Sequence, residues 1–347
     1  MQQVDVLLHG IGTVNRKLLQ LFQRQQDLLA ERHNLTVRVV GAIDSGGGVF
    51  RQEGIDPETL LEVKQTRGTV AAAPAGEEGL SAVECLSRTT EFLTLMEGTL
   101  VDLETGGPGL VAMREALKNG HSVVSANKGP LVLAFSELEA LASTHGGGLM
   151  YSATVAGGLP AVNVGRYDLA HAIVLRLEGI VNGTTHHLLT EMARGRDFDE
   201  ALREAQERGI AEADPTLDIS GWDAANKLII LANSVLRYPA TKQDVTVEGI
   251  EDVTPDALQA AERENQAIKL IARAERAADG RYQLSVRPRV LPLTHPLARL
   301  IGHQMGLWLE TDINGDIFLT ITEEDPTPTA AAMLRDLVLL ARGPRAW

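Results

Sequence analysis

The sequence predicts an α/β fold in which a doubly wound parallel sheet is followed by a smaller α+β domain. The chain opens on a β-type run that feeds a glycine loop and a helix, and strand and helix patterns then alternate to about residue 150. Beyond that point the pattern turns helix-rich before strands return. At 347 residues the chain is long for a single core, which favours two domains. Their expected bounds are 1–150 and 151–323, with a final helix in 324–347 packing back on the first domain.

Val4-Asp5-Val6-Leu7-Leu8-His9 is a strand that leads into Gly10-Ile11-Gly12-Thr13-Val14-Asn15. Val14, Leu18, Leu19, Phe22 and Leu29 recur at helical spacing, and Thr36 to Ile43 forms a second strand ending at Asp44. This βαβ unit is of Rossmann type. Gly10 suits a tight turn, Gly12 lets a pyrophosphate approach the backbone, and the helix N-terminus favours its charge. An acid at the end of the second strand, here Asp44, is placed to accept a hydrogen bond from an adenosine ribose and to favour NAD over NADP. Asn15 stands where the fingerprint has its third glycine, and the distance to Asp44 exceeds the usual spacing unless the first helix is long.

The alternation continues with Leu100-Val101-Asp102-Leu103 as strand, Leu110 to Lys118 as helix and Ser122 to Ser125 as strand. Ser136 to Thr144 gives a helix and Leu149-Met150-Tyr151 a strand, before Ala156-Gly157-Gly158-Leu159-Pro160 breaks the pattern. Helices follow at Leu188 to Arg194, Phe198 to Arg208 and Asp223 to Val235. Tyr282 to Arg289, Gly306 to Asp312 and Asp316 to Thr322 read as a small sheet, the last two joined through an Asn314-Gly315 turn. A helix from Thr329 to Ala341 closes the chain.

Net charge is −14, from 46 acids against 32 bases. This excess, with no basic run, argues against nucleic acid and anionic membrane as partners and points to a small polar substrate. Cys85 is the single cysteine and has no internal partner, which suits a reducing compartment. Met1-Gln2-Gln3-Val4-Asp5 has no signal-peptide character and no apolar stretch is long enough to span a bilayer, so a cytoplasmic protein is expected.

Glu212, Asp214, Asp218 and Asp223 crowd around a helix start and are followed by Lys227. Asp223 and Lys227 stand at i and i+4. On a solvated helix such a pair is worth a few tenths of a kcal/mol. Here Ala224-Ala225-Asn226-Lys227-Leu228-Ile229-Ile230 reads as a buried helix, which would carry its lysine into a site instead of water.

Ser125-Ala126-Asn127-Lys128-Gly129-Pro130, Gly179-Ile180-Val181-Asn182-Gly183-Thr184-Thr185 and the acidic block, in that order behind the glycine loop, resemble homoserine dehydrogenases from about residue 4 to the final helix. The resemblance implies the short form of that family, without a C-terminal regulatory domain. It implies NAD(P)-dependent interconversion of L-homoserine and L-aspartate 4-semialdehyde, in threonine and methionine synthesis. It implies a homodimer, contacting through the small sheet. Lys128 and Lys227 match the family's active-site lysines, and Asp223 the acid paired with the second. Glu212 and Asp218 match acids that receive the substrate ammonium; Gly183 and Thr184 match a substrate-contacting segment, while Asn182 and Thr185 fit a turn and helix cap as well as substrate contact. Gly10, Gly12, Thr13, Val14, Asp44, Thr105 and Lys128 match the cofactor side.

The chemistry of these residue types agrees. Removing the hydroxyl proton of a carbinol needs a base, and a lysine serves only when burial or a neighbouring cation lowers its pKa. Either Lys128 or Lys227 fits that part, and paired acids suit a cationic amino group. The family's cation-holding glutamate is replaced by Ser152, leaving Val155 and Gly157 to offer backbone carbonyls to a monovalent cation. Ile210 replaces a tyrosine, and Glu323-Glu324-Asp325-Pro326 replaces a glycine loop beside the cofactor, with Thr329 as helix cap. Those changes keep open a non-catalytic nucleotide- or amino-acid-binding homologue, and a dehydrogenase of a related amino acid.

Overall fold

A computed structural model describes residues 1–343; residues 344–347, the end of the expected final segment, lie outside the described residues. Two compact units form: Met1–Gly158 with the chain from Asp325 onward, and Leu159–Glu324.

In the first unit the strands are β1 (Gln2–His9), β2 (Leu35–Asp44), β3 (Gly47–Phe50), β4 (Gly76–Glu78), β5 (Thr94–Glu97), β6 (Ser122–Ser125) and β7 (Leu149–Met150). Their order is β4-β3-β2-β1-β5-β6-β7. From β2 to β7 neighbouring strands are parallel, and β3 and β4 add antiparallel edges. Parallel pairing requires helical crossovers, supplied by α1 (Thr13–Arg24), α2 (Gln26–His33), α3 (Pro57–Arg67), α4 (Ala82–Ser87), α5 (Gly107–Lys118) and α6 (Lys128–His145). The long interval between Asn15 and Asp44 is taken up by α1 and α2, which meet at Gln25. Leu18, Leu19 and Phe22 of α1 pack with Val6 and Leu8 of β1 and with Met333 and Leu337 of the C-terminal helix, Thr327–Arg342, in one core.

Leu100 to Leu103, expected as a strand, is irregular. The strand is Thr94–Glu97, buried at every position. A strand covered on both faces shows no alternation, whereas Leu100 and Val101 are exposed apolar residues, 91% and 42% accessible, that imitate one. The helix expected from Ser136 begins at Lys128, because Asn127 caps it and Gly129 and Pro130 fall in its first turn, where they are tolerated; Ala134 breaks its regularity. The C-terminal helix begins at Thr327, not at Thr329: Asp325 Oδ1 accepts from Thr327 N at 2.8 Å and takes the capping part.

In the second unit β8 (Val174–Ile180), β9 (Val245–Val247), β10 (Gln266–Arg276), β11 (Tyr282–Pro292), β12 (Gln304–Thr311) and β13 (Asp316–Thr322) form a sheet ordered β13-β12-β8-β10-β11-β9. The expected turn at Asn314-Gly315 joins β12 and β13, with Glu310 opposite Asp316. Around the sheet lie α7 (Ala161–Asn163), α8 (Gly183–Ala193), α9 (Phe198–Glu207), α10 (Thr216–Ile219), α11 (Trp222–Ser234) and α12 (Pro255–Arg263). Both α8 and α11 pack on β10. The start of α8 at Gly183, earlier than Leu188, follows from the cap supplied by Asn182, whose Oδ1 accepts from Thr185 N at 2.8 Å. Among the described residues no helix is long and apolar enough to cross a membrane.

Candidate active site

In the first unit a cavity of about 790 Å³ is lined by His9, Gly10, Gly12, Asp44, Thr99 and Asp102 among others. Gly10 adopts φ +83°, and a Cβ there would lie 2.6 Å from Gly98 O, so glycine is required on both conformational and spatial grounds. Gly12 is different: a Cβ would meet nothing within 4 Å, and as the N-cap of α1 it offers no side chain to the helix. The first N–H groups of α1 thus remain available to an anion, with Thr13 and Val14 as its first residues. These residues fit a dinucleotide pyrophosphate.

Asn15 explains how the loop dispenses with a third glycine. Its buried amide donates to His9 O at 3.1 Å, Gly10 O at 3.0 Å and Met96 O at 3.2 Å, tying β1, the loop and β5 together. Asp44, by contrast, is already spent. Its Oδ1 accepts from Gly46 N at 2.9 Å and Thr69 Oγ1 at 2.8 Å; its Oδ2 accepts from Lys64 Nζ at 2.7 Å and Val70 N at 2.9 Å. Burial alone would raise its pKa, but those donors hold it below the ordinary value. The expected ribose contact would therefore compete with four internal donors, and Lys64 offsets the charge expected to repel a phosphate.

Thr105 is exposed and faces inward to Asp102, donating through both its N–H and its hydroxyl; these bonds hold the Asp102 carboxyl at about 2. Asp325, the one acid of the altered loop that belongs to this unit, caps the C-terminal helix and pairs with Lys17 at 3.3 Å. The cation site fits poorly. Ser152 donates its hydroxyl to buried Asp336, Arg335 donates to the Ser152 oxygen at 2.7 Å and lies 3.7 Å from Asp336, so that carboxylate is already engaged, and no acid stands beside the Val155 and Gly157 carbonyls in sequence. Among the described residues no group of three or more His, Cys, Asp or Glu side chains is placed to hold a metal.

In the second unit Asn182 does two things. While its oxygen caps α8, its Nδ2 donates to Asp218 Oδ1 and to Asp223 Oδ2, each at 2.6 Å. Lys227 Nζ reaches Asp223 Oδ2 at 2.7 Å and Val181 O at 2.8 Å. Asp223 is 5% accessible and α11 is otherwise largely buried, so this is no solvated i, i+4 pair. Asp218 is poorly compensated. Burial and the adjacent Asp223 raise its pKa, against the weaker opposing pull of Asn182 and Lys227. The Thr184 hydroxyl stands beside Asp218 and donates to Ile210 O at 3.1 Å. Gly183 opens α8, and a Cβ there would meet only Met305 Sδ at 4.0 Å.

The structure thus joins Asn182, Thr184, Asp218, Asp223 and Lys227. Glu212 is not among them: it is exposed between α9 and α10, held by Gln206 through its backbone carbonyl at 3.1 Å. Sequence reasoning left Asn182 as a cap or a substrate contact. It missed Asn226, buried beside Lys227 with both amide atoms unpartnered, although its place in the acidic block was a usable signal. It also missed His9 and Glu97, polar residues at the ends of apolar strands in the first unit.

Comparison with known proteins agrees. The family model for homoserine dehydrogenase matches residues 160–338. The chain is 35% identical over 336 residues to a homoserine dehydrogenase of Methanocaldococcus jannaschii, covering 96% of this chain and 98% of that one. It is 34% identical over 340 residues to an NAD(+)-dependent homoserine dehydrogenase of Pseudomonas canavaninivorans, covering 97% and 96%. A solved hyperthermophilic archaeal homoserine dehydrogenase in complex with NADPH superposes with a TM-score of 0.81 at 26% identity, covering 97% of each chain. With its glycine-loop sheet, its Asp223–Lys227 pair and near full-length likeness to these proteins, the chain belongs to the homoserine dehydrogenase family.

Proposed function

We propose that the protein interconverts L-homoserine and L-aspartate 4-semialdehyde with NAD or NADP. The observation that carries this reading is the uneven compensation of Asp218 and Asp223. One lysine serves Asp223, and Asp218 is left with excess negative charge on a part-buried wall. A substrate ammonium would supply the missing cation and convert a cost into a charge-assisted contact. Glu212, exposed between α9 and α10, is a further acid proposed for the same ammonium, and the Gly183 backbone with the Thr184 backbone and hydroxyl is proposed to face the substrate.

Either Lys128 or Lys227 takes the hydroxyl proton as the carbinol carbon loses hydride. Asp223 and Val181 O fix the direction of Lys227. A bound dinucleotide would supply the hydride acceptor, its nicotinamide ring. Gly10, Gly12, Thr13 and Val14 would hold its pyrophosphate, and Thr105 steadies the rim through Asp102. If a monovalent cation binds, Val155 and Gly157 carbonyls are its ligands.

The domain division follows these roles, with dinucleotide binding in the first unit and substrate binding in the second. A cytoplasmic homodimer completes the reading, with the six-stranded sheet as the contact; Phe318 on β13 and Val290 on β11 are exposed apolar residues there, 38% and 55% accessible. Initial rates with L-homoserine against NAD and NADP in parallel test the activity, and light scattering tests the dimer. Folded protein that reduces neither nucleotide would overturn the catalytic reading.

A further inference from the structure

Beneath the glycine loop a buried polar chain runs toward Lys128. His9 Nδ1 meets Glu97 Oε2 at 2.7 Å, and the two side chains are 8% and 0% accessible. The other carboxylate oxygen, Oε1, accepts from Thr99 N at 2.8 Å, from the Thr99 hydroxyl and from Asn127 Nδ2 at 3.2 Å. Asn127 then turns its Oδ1 to Gly129 N at 3.0 Å and caps α6, whose first residue is Lys128. Ser125 clamps the other side, donating to Asn127 O and accepting from Asn127 N at 3.0 Å.

A second observation comes from α5. A Cβ on Gly109 would lie 2.7 Å from Asn127 Nδ2, 2.8 Å from Glu97 Oε1 and 2.9 Å from Thr99 Oγ1. The first turn of α5 therefore carries glycine where it crosses the chain, since any side chain there would strike Asn127, Glu97 or Thr99. A wholly buried carboxylate is costly unless it is fully bonded. What the chain determines is the geometry of the first turn of α6.

We infer that His9, Glu97 and Asn127 are positioning residues that hold Lys128, each acting through the next and none touching the substrate. This inference rests on the role proposed above for Lys128. A lysine side chain carries about 2 kcal/mol of rotamer entropy, and a misplacement of about 1 Å can cost roughly a hundredfold in rate, so a fixed helix start has a measurable return. It also places a cation at the N-terminal, positive end of α6, ahead of the break at Ala134, an arrangement that serves reactivity and not helix stability.

The test uses the intact chain and the variants Glu97→Gln, His9→Leu, His9→Gln and Gly109→Ala. The last presses on the chain from α5 without removing any of its members. Three readouts are taken: kcat and KM for L-homoserine across pH, NADPH affinity by fluorescence, and the rate of acylation of the Lys128 amine by acetic anhydride, read by mass spectrometry. Glu97→Gln and Gly109→Ala are expected to lower kcat at least about tenfold, to displace the pH profile and to change Lys128 acylation at least threefold. His9→Gln, which can still donate to Glu97, should lose less than His9→Leu; because His9 lines the dinucleotide cavity and Lys128 is read on the cofactor side, NADPH affinity is recorded to separate a loss of binding from a loss of turnover. Folded variants with parental acylation of Lys128 would overturn the inference. Parent protein inactive on homoserine would overturn the functional reading instead, while the acylation readout would still decide the positioning role.

Discussion

Asp44 and Asp218 were both assigned ligand contacts by sequence, and the structure separates them. Asp44, in the dinucleotide half, has four internal donors and a lowered pKa. Asp218, in the substrate half, receives Asn182 but faces Asp223, and its pKa is raised. A saturated acid is architecture: it fixes the turn after β2 and anchors Lys64. An acid short of donors fits the role proposed for Asp218, that of meeting a substrate cation. Residue type and position did not distinguish them; the count of donors around each carboxylate does.

The largest expected effect is at Lys227. Lys227→Met should lower kcat roughly 10²- to 10⁴-fold, and it leaves Asp223 buried beside Asn182 without its cation. Near-normal turnover would show that the Asp223–Lys227 pair is structural, as Asp44–Lys64 is.

Next comes Asp218→Asn, which should raise the KM for L-homoserine roughly 10- to 100-fold and disturb NADPH affinity little, because it removes the charge proposed to meet the ammonium. An unchanged KM would place the ammonium elsewhere, with Glu212 the first alternative.

Stability should respond in opposite directions. Asp44→Asn leaves Lys64 without its carboxylate and should cost about 1–3 kcal/mol, seen as a lower Tm at pH 7. Asp218→Asn should leave Tm unchanged or raise it, since it removes a charge the fold compensates poorly. For Asp44 the folded pKa lies below the ordinary 3.8, so its stabilisation is present above 3.8 and lost as pH falls through the folded value. For Asp218 the folded pKa lies above 3.8, so stability is highest below 3.8 and falls as pH rises through the folded value. Unfolding of the two variants against parent between pH 3 and pH 7 should therefore diverge; parallel curves would erase the distinction.

A smaller and separate effect is expected at Lys269, buried on β10 with Leu300 O as acceptor at 2.9 Å and its pKa pushed down to about 8, chiefly by burial. Its folded value lies below the unfolded one, so it costs stability at neutral pH and the cost fades as pH rises from about 8 toward 10.5. Lys269→Met should raise Tm at pH 7 more than at pH 10, a contrast with Lys227, whose carboxylate partner is in place.

The glycine loop, the parallel sheet and the Asp223–Lys227 pair were legible because each follows from local spacing. Strand β5 was not, because burial on both faces erases alternation and the exposed apolar pair Leu100 and Val101 supplied a false signal. The saturation of Asp44 was hidden for another reason. Its donors Lys64, Thr69 and Val70 come from a segment between β3 and β4 that sequence reading left unassigned. Asn182 was visible as a cap, but its second bond, across to Asp218, spans 36 residues and exists only once α8 and α10 meet.

The most direct test of the account is a paired measurement on Asp218→Asn and parent: steady-state kinetics with L-homoserine and either nucleotide, with Tm recorded on the same samples. The expected result is a KM raised at least about tenfold, kcat changed far less, and a Tm equal to or above that of the parent. A parental KM together with a lowered Tm would show that Asp218, like Asp44, serves the fold and not the substrate.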